Sequence, residues 1–264
     1  ALRAPKGQVL VACDSSQIEA RMVAWIAGQD ELVQAFSEGR DVYSEFASDV
    51  YGRKITKGDK IERFVGKTCI LGLGYGTISV NNLPTFLDSS NLEDKSFGFY
   101  LHNNPEQSYM TLPGFETEGY TLKGTHNVIE QTYWNLNLVK MTGPNGVVDT
   151  TGYKAAIDSG TSLIIGSSTL IDPLIEGIVV DSTCAGIDAL PNISLTLDAI
   201  DYVLTPADYV VSVTEFGVTQ CLMGIMAYDL PADFNYMIVG DVFMRPYATH
   251  FNKNDNTVSF YTKN

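Results

Sequence analysis

The feature that most constrains the fold is an abrupt change in hydrophobic patterning near residue 76. Before it, the apolar run Val9–Cys13 predicts a strand, and apolar spacing over Ser16–Ala27 and Asp41–Tyr51 predicts two helices. After it, short runs rich in Val, Ile, Thr and Tyr are separated by Gly, Pro, Asn and Asp, as is typical of strands and turns. The clearest of these runs are Phe97–Leu101, Leu163–Ile165, Ile193–Leu197 and Met237–Val239. The sequence therefore predicts an α/β piece over residues 1–76 and an all-β piece over residues 77–264.

The net charge follows the same division. Residues 1–76 carry ten basic and ten acidic side chains, so the whole formal charge of −14 lies in residues 77–264. A chain this acidic is not expected to bind nucleic acid in general, because phosphate binding needs basic side chains. No apolar run approaches the roughly 18–20 residues of a membrane helix, and no secretory leader pattern is expected at the N-terminus. With 45% hydrophobic residues the chain can bury a core, and its four cysteines exclude a disulfide-dense scaffold.

Three groups of residues in the first piece suit metal or phosphate chemistry. Asp14 comes where the predicted strand ends and the helix begins, a place that suits a metal-binding carboxylate and also a turn aspartate. Glu19 completes a capping box with Ser16, which is a sufficient structural reason for its presence. Arg63 and Lys67 lie one helical turn apart, so they could hold a triphosphate, although a solvated helix face has the same spacing.

These residues resemble two motifs of the family A DNA polymerases, in a version similar to the phage enzymes. The two matching segments are Asp14-x-Ser16-Gln17-Ile18-Glu19-x-Arg21 for motif A and Arg63-x3-Lys67-x3-Leu71-Gly72-x2-Tyr75-Gly76 for motif B. The resemblance implies that Asp14 binds a catalytic Mg²⁺. It also implies that the nucleotide is bound by Glu19, Arg63, Lys67, Leu71 and Tyr75. Because two-metal catalysis needs a second carboxylate, normally in a His-Asp pair that this chain lacks, the fragment is expected not to polymerise DNA.

The second piece places one aspartate, Asp158, in a tight turn between two apolar runs. Gly160 permits close approach of the backbone, and the hydroxyls of Ser159 and Thr161 can donate hydrogen bonds to the Asp158 carboxylate. Such a turn orients a carboxylate in a dry setting. The same spacing also suits a hairpin turn whose aspartate bonds only its own backbone.

With its flanking segments, this turn resembles the C-terminal lobe of the pepsin-like aspartic proteases of cathepsin D type. The matching segments cover about residues 70–264 in family order, and they are Phe97–Leu101, Tyr133-Trp134, Asp158–Ser162, Ile238–Asp241, Phe243–Tyr247 and Phe251–Phe260. The resemblance implies a mostly β, barrel-like lobe, preceded here by a short α/β polymerase palm and fingers fragment. It also implies an acid endopeptidase in which Asp158 is one of two aspartates that share a proton and activate water.

The same resemblance implies roles for the residues around Asp158 and for two cysteines. The implied members are the turn residues Ser159, Gly160, Thr161 and Ser162, the supporting residues Ile238, Val239 and Gly240, and the disulfide pair Cys184 and Cys221. A peptide or protein substrate, no cofactor, and a secretory, lysosomal or vacuolar location are implied as well. The triplet Asn192-Ile193-Ser194 could be glycosylated only in such a location.

The family needs a second Asp-Thr/Ser-Gly motif, and Asp158 carries the only one in this chain. The lone chain is therefore expected to be inactive unless an N-terminal lobe or a second chain supplies the other aspartate. The alternatives are a DNA polymerase fragment, a non-catalytic peptide-binding cleft, and a fusion made by recombination or by an assembly error. The string Ile70–Tyr75 fits both families, which places the expected join within it.

Overall fold

The computed structural model describes residues 30–51, 53–59, 73–78, 85–103, 107–215, 218–229 and 235–264. The chain divides into two units between residues 72 and 73, and each unit is described by itself. The strand and helix predicted before residue 28 lie outside the described residues.

The described part of the first unit contains two helices, α1 (Asp30–Ser37) and α2 (Val42–Tyr51). Helix α1 ends at Ser37, and it is followed by Gly39, whose φ of 71° lies in the left-handed region; the Arg40 amide donates to the Ala35 carbonyl at 3.0 Å. This is the six-to-one bond of a glycine-terminated helix. Helix α2 confirms the helix predicted over residues 41–51. The apolar side chains buried here are Ala35, Phe36, Val42, Tyr43 and Ile55.

The second unit is built mainly of strands. In chain order they are β1 (Ser96–Tyr100), β2 (Tyr109–Thr111), β3 (Tyr120–Asn127), β4 (Glu130–Gln131), β5 (Trp134–Gly143), β6 (Gly146–Asp149), β7 (Lys154–Ile157), β8 (Ile164–Gly166), β9 (Ile193–Leu197), β10 (Ile200–Leu204), β11 (Val210–Glu215), β12 (Val218–Met223), β13 (Ile225–Ala227), β14 (Tyr236–Val239), β15 (Ala248–Asn252) and β16 (Thr257–Lys263). The helices are α3 (Phe86–Ser89), α4 (Ser168–Ile175), α5 (Pro206–Tyr209) and α6 (Asp241–Met244), with 3₁₀ turns at Gly76–Ile78 and Ile187–Ala189.

Within the described residues the strands form three sheets. The first has the order β2-β1-β15-β16-β3, and all its pairs are antiparallel. The second has the order β10-β9-β5-β7-β14-β8-β13, with β4 and β6 also paired to β5. The third is the hairpin β11-β12. The chain is therefore mostly β, as the sequence predicted.

One hydrophobic core holds these sheets together, and its centre is aromatic. Phe97 stacks on Phe251 with ring centroids 4.8 Å apart, and Trp134 meets Phe251 edge to face at 5.1 Å. Tyr202 and Phe260 are fully buried and meet edge to face, also at 5.1 Å. Such pairs add to the large area that each ring removes from water. Several aromatic residues of the second piece thus lie in its core beside many aliphatic ones, whereas Tyr133 and Tyr228 are exposed.

The order of the central strands brings two segments together where β7 and β14 end, at one side of the second sheet. Strand β14 lies between β7 and β8, parallel to β7 and antiparallel to β8. The segment that joins β7 to β8 therefore passes the end of β14. Residues 158–163 and the residues that follow Val239 meet at this edge.

Candidate active site

Strand β7 carries Asp158 to the edge of the sheet. Ala155, Ala156 and Ile157 are buried, whereas Asp158, the next residue, is half-buried. The Asp158 amide donates to the Val239 carbonyl at 3.0 Å, which continues the pairing of β7 with β14 by one residue. The backbone of Asp158 is thereby fixed while its carboxylate faces the boundary between core and solvent.

Two donors from the same turn hold the Asp158 carboxylate. The Gly160 amide donates to Oδ1 at 2.9 Å, and the Thr161 hydroxyl donates to Oδ2 at 2.6 Å. Each carboxylate oxygen has further lone pairs that can accept another hydrogen bond. The Thr161 bond confirms the donor that the sequence predicted. The second bond comes from the Gly160 amide rather than from Ser159, whose side chain is exposed, because the tight turn aims the amide at Oδ1.

A second segment, residues 240–242, supports this turn through backbone hydrogen bonds. The Gly240 amide donates to the Leu163 carbonyl at 3.1 Å, and the Val242 amide donates to the Ser162 carbonyl at 3.1 Å. A Cβ built on Gly240 would overlap the carbonyl oxygen of Thr161, so only glycine lets the two segments approach this closely. Ile238 and Val239, also predicted as supporting residues, pair with both β7 and β8. The structure therefore brings the predicted turn and the predicted supporting loop together.

Asp241 is a second carboxylate of this region, which the sequence reasoning did not select as a site residue. Its amide donates to the Thr161 carbonyl at 2.9 Å, and its side chain is half-buried at the start of α6. Burial raises the pKa of Asp241 to about 6, while the Arg245 charge lowers it and the Asp158 charge raises it. The signal for Asp241 was its place directly after Gly240, where it follows the supporting loop. The region thus contains two acidic groups in different environments.

The predicted disulfide lies in a part of the sequence separate from this turn. Cys184 and Cys221 are bonded, with Cα atoms 5.1 Å apart, and the bond ties the segment before the second 3₁₀ turn to β12. Cys221 is buried. The disulfide implied by the resemblance is therefore confirmed.

Most of the residues predicted for nucleotide binding lie outside the described part of the chain. They are Asp14, Glu19, Arg63, Lys67 and Leu71. Tyr75 is described, and it lies in the second unit, where its ring is 4.9 Å from Trp134 and its hydroxyl donates to Asn256 Oδ1 at 3.1 Å. Burial raises the pKa of Tyr75 to about 12. Its packing explains its presence without a nucleotide, and nucleotide binding by this set stays a prediction.

Two further properties concern the residues that the structure describes. Among them, no three His, Cys, Asp or Glu side chains are grouped so that they could hold a metal ion. None of the helices in the same part of the chain is both long and apolar enough to cross a membrane.

Two protein families match the sequence in different regions. The profile of the family described as "Eukaryotic aspartyl protease" matches residues 54–263. The profile of "DNA polymerase family A" matches residues 1–98. The two matches overlap over residues 54–98, a range that includes the string predicted to contain the join.

Curated relatives match the second region. Cathepsin D of Chionodraco hamatus is 36% identical over 210 residues, which cover 72% of this chain and 53% of that protein. Cathepsin D of Bos taurus is 35% identical over 210 residues, with coverage of 72% and 53%. Cathepsin D of Homo sapiens is 34% identical over 210 residues, with coverage of 72% and 51%. The chain spans about half the length of the curated relatives it matches.

Proposed function

The chain belongs to the eukaryotic aspartyl protease family, and from that premise we propose that it provides one half of the active site of an acid endopeptidase. The observation that carries the proposal is the fixed Asp158 carboxylate, with a donor on each oxygen and a glycine-dependent support beneath it. The substrate is a peptide or a protein. The roles assigned to Ser159, Thr161 and Ser162 in bordering the substrate cleft belong to this proposal.

The proposed chemistry needs Asp158 and a second aspartate that share one proton. The ionised member of the pair takes a proton from a water molecule as the water attacks the peptide carbonyl carbon. The protonated member donates to the carbonyl oxygen, and a proton then passes to the leaving amine. Two carboxylates that are close enough to share a proton cannot both be ionised without strong repulsion. The pair is therefore expected to work in acid. The bonds from Gly160 and Thr161 keep Asp158 in one orientation through these steps, and no metal takes part.

The second aspartate is proposed to come from another polypeptide. Asp158 carries the only Asp-Thr/Ser-Gly motif of the chain, so its partner would belong to a separate N-terminal lobe or to a second copy. Residues 1–76 are proposed to be a polymerase-like fragment that contributes no residue to this chemistry.

A complementation assay tests the proposal. The chain is incubated at pH 4 with a quenched fluorescent peptide, alone at increasing concentrations and with a separately produced N-terminal lobe of a cathepsin D. We expect cleavage only in the mixture, and we expect Asp158→Asn to abolish it. Asp172→Asn is the matched control, because Asp172 is an exposed aspartate on α4. Equal cleavage by the Asp158→Asn chain would overturn the proposal, and a rate that rises with the square of chain concentration would assign the second aspartate to another copy.

The disulfide supports a proposed location. Cys184 and Cys221 are bonded, and disulfides persist in oxidising compartments. We therefore place the protease part in the secretory pathway, in a lysosome or in a vacuole.

A second candidate function rests on the polymerase match over residues 1–98. In that case Asp14 would bind Mg²⁺, and the nucleotide-binding residues would hold the incoming nucleotide for attack by the 3′-hydroxyl of a primer, with pyrophosphate as the leaving group. A primer-extension assay with and without Mg²⁺ tests this function, and no extension is expected because no His-Asp pair supplies the second carboxylate.

A third candidate function is a peptide-binding cleft without catalysis. Tight binding of a pepstatin-type inhibitor without turnover would favour it.

A further inference from the structure

One triplet of the sequence has a chemical meaning that protease activity does not use. Asn192-Ile193-Ser194 is the single Asn-x-Ser/Thr triplet in the 264 residues whose middle residue is not proline. This triplet is the acceptor pattern for N-linked glycosylation, and many copies of it stay unmodified. The structure decides whether this one suits a glycan.

The fold turns both acceptor residues of the triplet away from the core. Asn192 precedes β9 and is exposed, Ile193 is buried, and Ser194 is half-buried. This alternation follows from the two-residue period of a strand, which puts Asn192 and Ser194 on one face and Ile193 on the other. Ser194 pairs with Val203 of β10, whose side chain is 43% exposed. At the start of β9 the face that carries Asn192 is therefore open to solvent, whereas Thr196, further along the same face, is buried.

The Asn192 side chain is also chemically available. Among the described residues it makes no hydrogen bond, whereas the neighbouring Pro191 carbonyl accepts one from the Tyr209 hydroxyl at 2.6 Å. The backbone beside Asn192 is thus anchored while its amide nitrogen stays unused. A glycan on this nitrogen would therefore displace no hydrogen bond among the described residues.

Strand direction separates this position from the Asp158 turn. Strands β7 and β9 both pair with β5 in antiparallel fashion, so they run parallel to each other. Asp158 follows the end of β7, whereas Asn192 precedes the start of β9. They therefore lie at opposite ends of β5, and a bulky group on Asn192 leaves the Asp158 turn uncovered.

The chemistry of the lobe matches that of the compartment in which glycans are transferred. The Cys184–Cys221 disulfide indicates an oxidising, secretory environment, and that environment contains the lipid-linked oligosaccharide donor.

We propose that Asn192 is an N-glycosylation site of this protein. The donor is an oligosaccharide joined through its anomeric carbon to a lipid pyrophosphate. The Asn192 Nδ2 forms a bond to that carbon and loses one proton, while the bond from the carbon to the phosphate oxygen breaks and the lipid pyrophosphate leaves. No oxidant or reductant is needed.

The test is translation of the full chain, behind a cleavable secretory leader, in the presence of microsomes. Chains that resist added protease have been translocated, and only these are analysed. We expect them to carry one glycan, which peptide N-glycosidase removes with conversion of Asn192 to aspartate in the mass spectrum. Asn192→Gln and Ser194→Ala should each abolish the glycan, and Ser194→Thr should retain it. Asn127→Gln, at an exposed asparagine outside any triplet, is the matched control.

Translocated chains that contain the Cys184–Cys221 disulfide but an unmodified Asn192 would overturn the proposal. So would a glycan that persists in Asn192→Gln. The result is independent of peptidase activity, because an Asp158→Asn chain should be glycosylated to the same extent.

Discussion

Thr161 shows how much of the site depends on a single residue. Its hydroxyl donates to Asp158 Oδ2 at 2.6 Å, and its backbone carbonyl accepts from the Asp241 amide at 2.9 Å. It therefore touches both the carboxylate and the supporting segment. Ser159, two residues earlier and also a hydroxyl residue, is exposed.

This contrast yields a prediction for the turn. Thr161→Val keeps the shape of the side chain but removes the donor to a charged oxygen, so we expect the free energy of unfolding at pH 7 to fall by about 1–2 kcal/mol. Ser159→Ala, the matched control, should change it by less than about 0.5 kcal/mol. Urea unfolding followed by circular dichroism measures both. Equal effects of the two substitutions would mean that the Thr161 bond does not hold the turn.

The pKa of Asp241 gives a prediction with a definite sign. Burial raises this pKa from 3.8 to about 6, so between these pH values the folded protein keeps a proton that the unfolded chain has lost. The contribution of Asp241 to stability is therefore fully present below about pH 4 and declines as the pH rises through 6. The decline should be about 3 kcal/mol. Asp241→Asn should remove it.

The comparison for Asp241 is made by urea unfolding at several pH values between 4 and 7. Titrating groups that do not interact with Asp241 contribute equally to both proteins, so the difference between the two pH profiles isolates Asp241 together with its coupling to Asp158 and Arg245. Asp172→Asn, on an exposed aspartate, should leave the profile unchanged. Parallel profiles for Asp241→Asn and the unmodified chain would contradict the raised pKa.

At the scale of elements, sequence patterning predicted strands and missed the contacts between them. The run Ile193–Leu197 is a strand with the predicted bounds, because apolar residues bounded by turn residues specify a buried strand. The turn around Asp158 and the supporting Gly240 were also predicted, because each lies in a short continuous stretch of the sequence. The insertion of β14 between β7 and β8 was not derivable from periodicity, because pairing of distant strands leaves no local signal. Asp241 directly follows the predicted supporting loop, but its contact with Thr161 joins distant segments and leaves no local signal.

A buried histidine that no pattern singled out connects two of the sheets. His126 on β3 is 1% exposed, and its Nδ1 donates to Asp198 Oδ2 at 2.8 Å. Its Nε2 lies 2.6 Å from the hydroxyl of Tyr202 on β10, which donates to it when the ring is neutral. The first sheet is thus joined to the second by a buried contact with Tyr202, beside a contact with the exposed Asp198.

This connection predicts the cost of removing one hydroxyl. Tyr202→Phe leaves the Nε2 of His126 buried without a partner, so we expect the free energy of unfolding to fall by about 2 kcal/mol. Tyr133→Phe is the matched control, because Tyr133 is 38% exposed and its hydroxyl makes no hydrogen bond among the described residues. Denaturant unfolding at pH 7 provides the measurement. If both substitutions cost the same, the contact with His126 adds nothing to stability.

At the scale of the whole molecule, two lines of observation meet in one short region. The two family profiles overlap over residues 54–98, and the boundary between the two units falls between residues 72 and 73. That boundary lies within the string Ile70–Tyr75, which resembles both families. The assignment of each side to a separate domain stays a prediction, and it has a thermodynamic consequence.

Among the residues that the structure describes, the buried members of the hydrophobic core that joins the sheets all lie between residues 75 and 260. Residues 73–264 should therefore fold without the preceding segment, since a domain with its own core needs no other part of the chain. We expect this fragment to unfold in one cooperative transition, with a midpoint within about 5 °C of the corresponding transition of the full chain. Calorimetry and near-ultraviolet circular dichroism measure this.

A matched shorter fragment makes that expectation specific. A fragment of residues 101–264 lacks β1, so Phe251 loses the stacked ring of Phe97 and β15 loses a neighbouring strand. We expect it to lose the cooperative transition, because one removed strand exposes both a core face and a sheet edge. If residues 73–264 also fail to unfold cooperatively while the full chain succeeds, the first unit is required for folding. The chain would then be one folding unit rather than two units that fold independently.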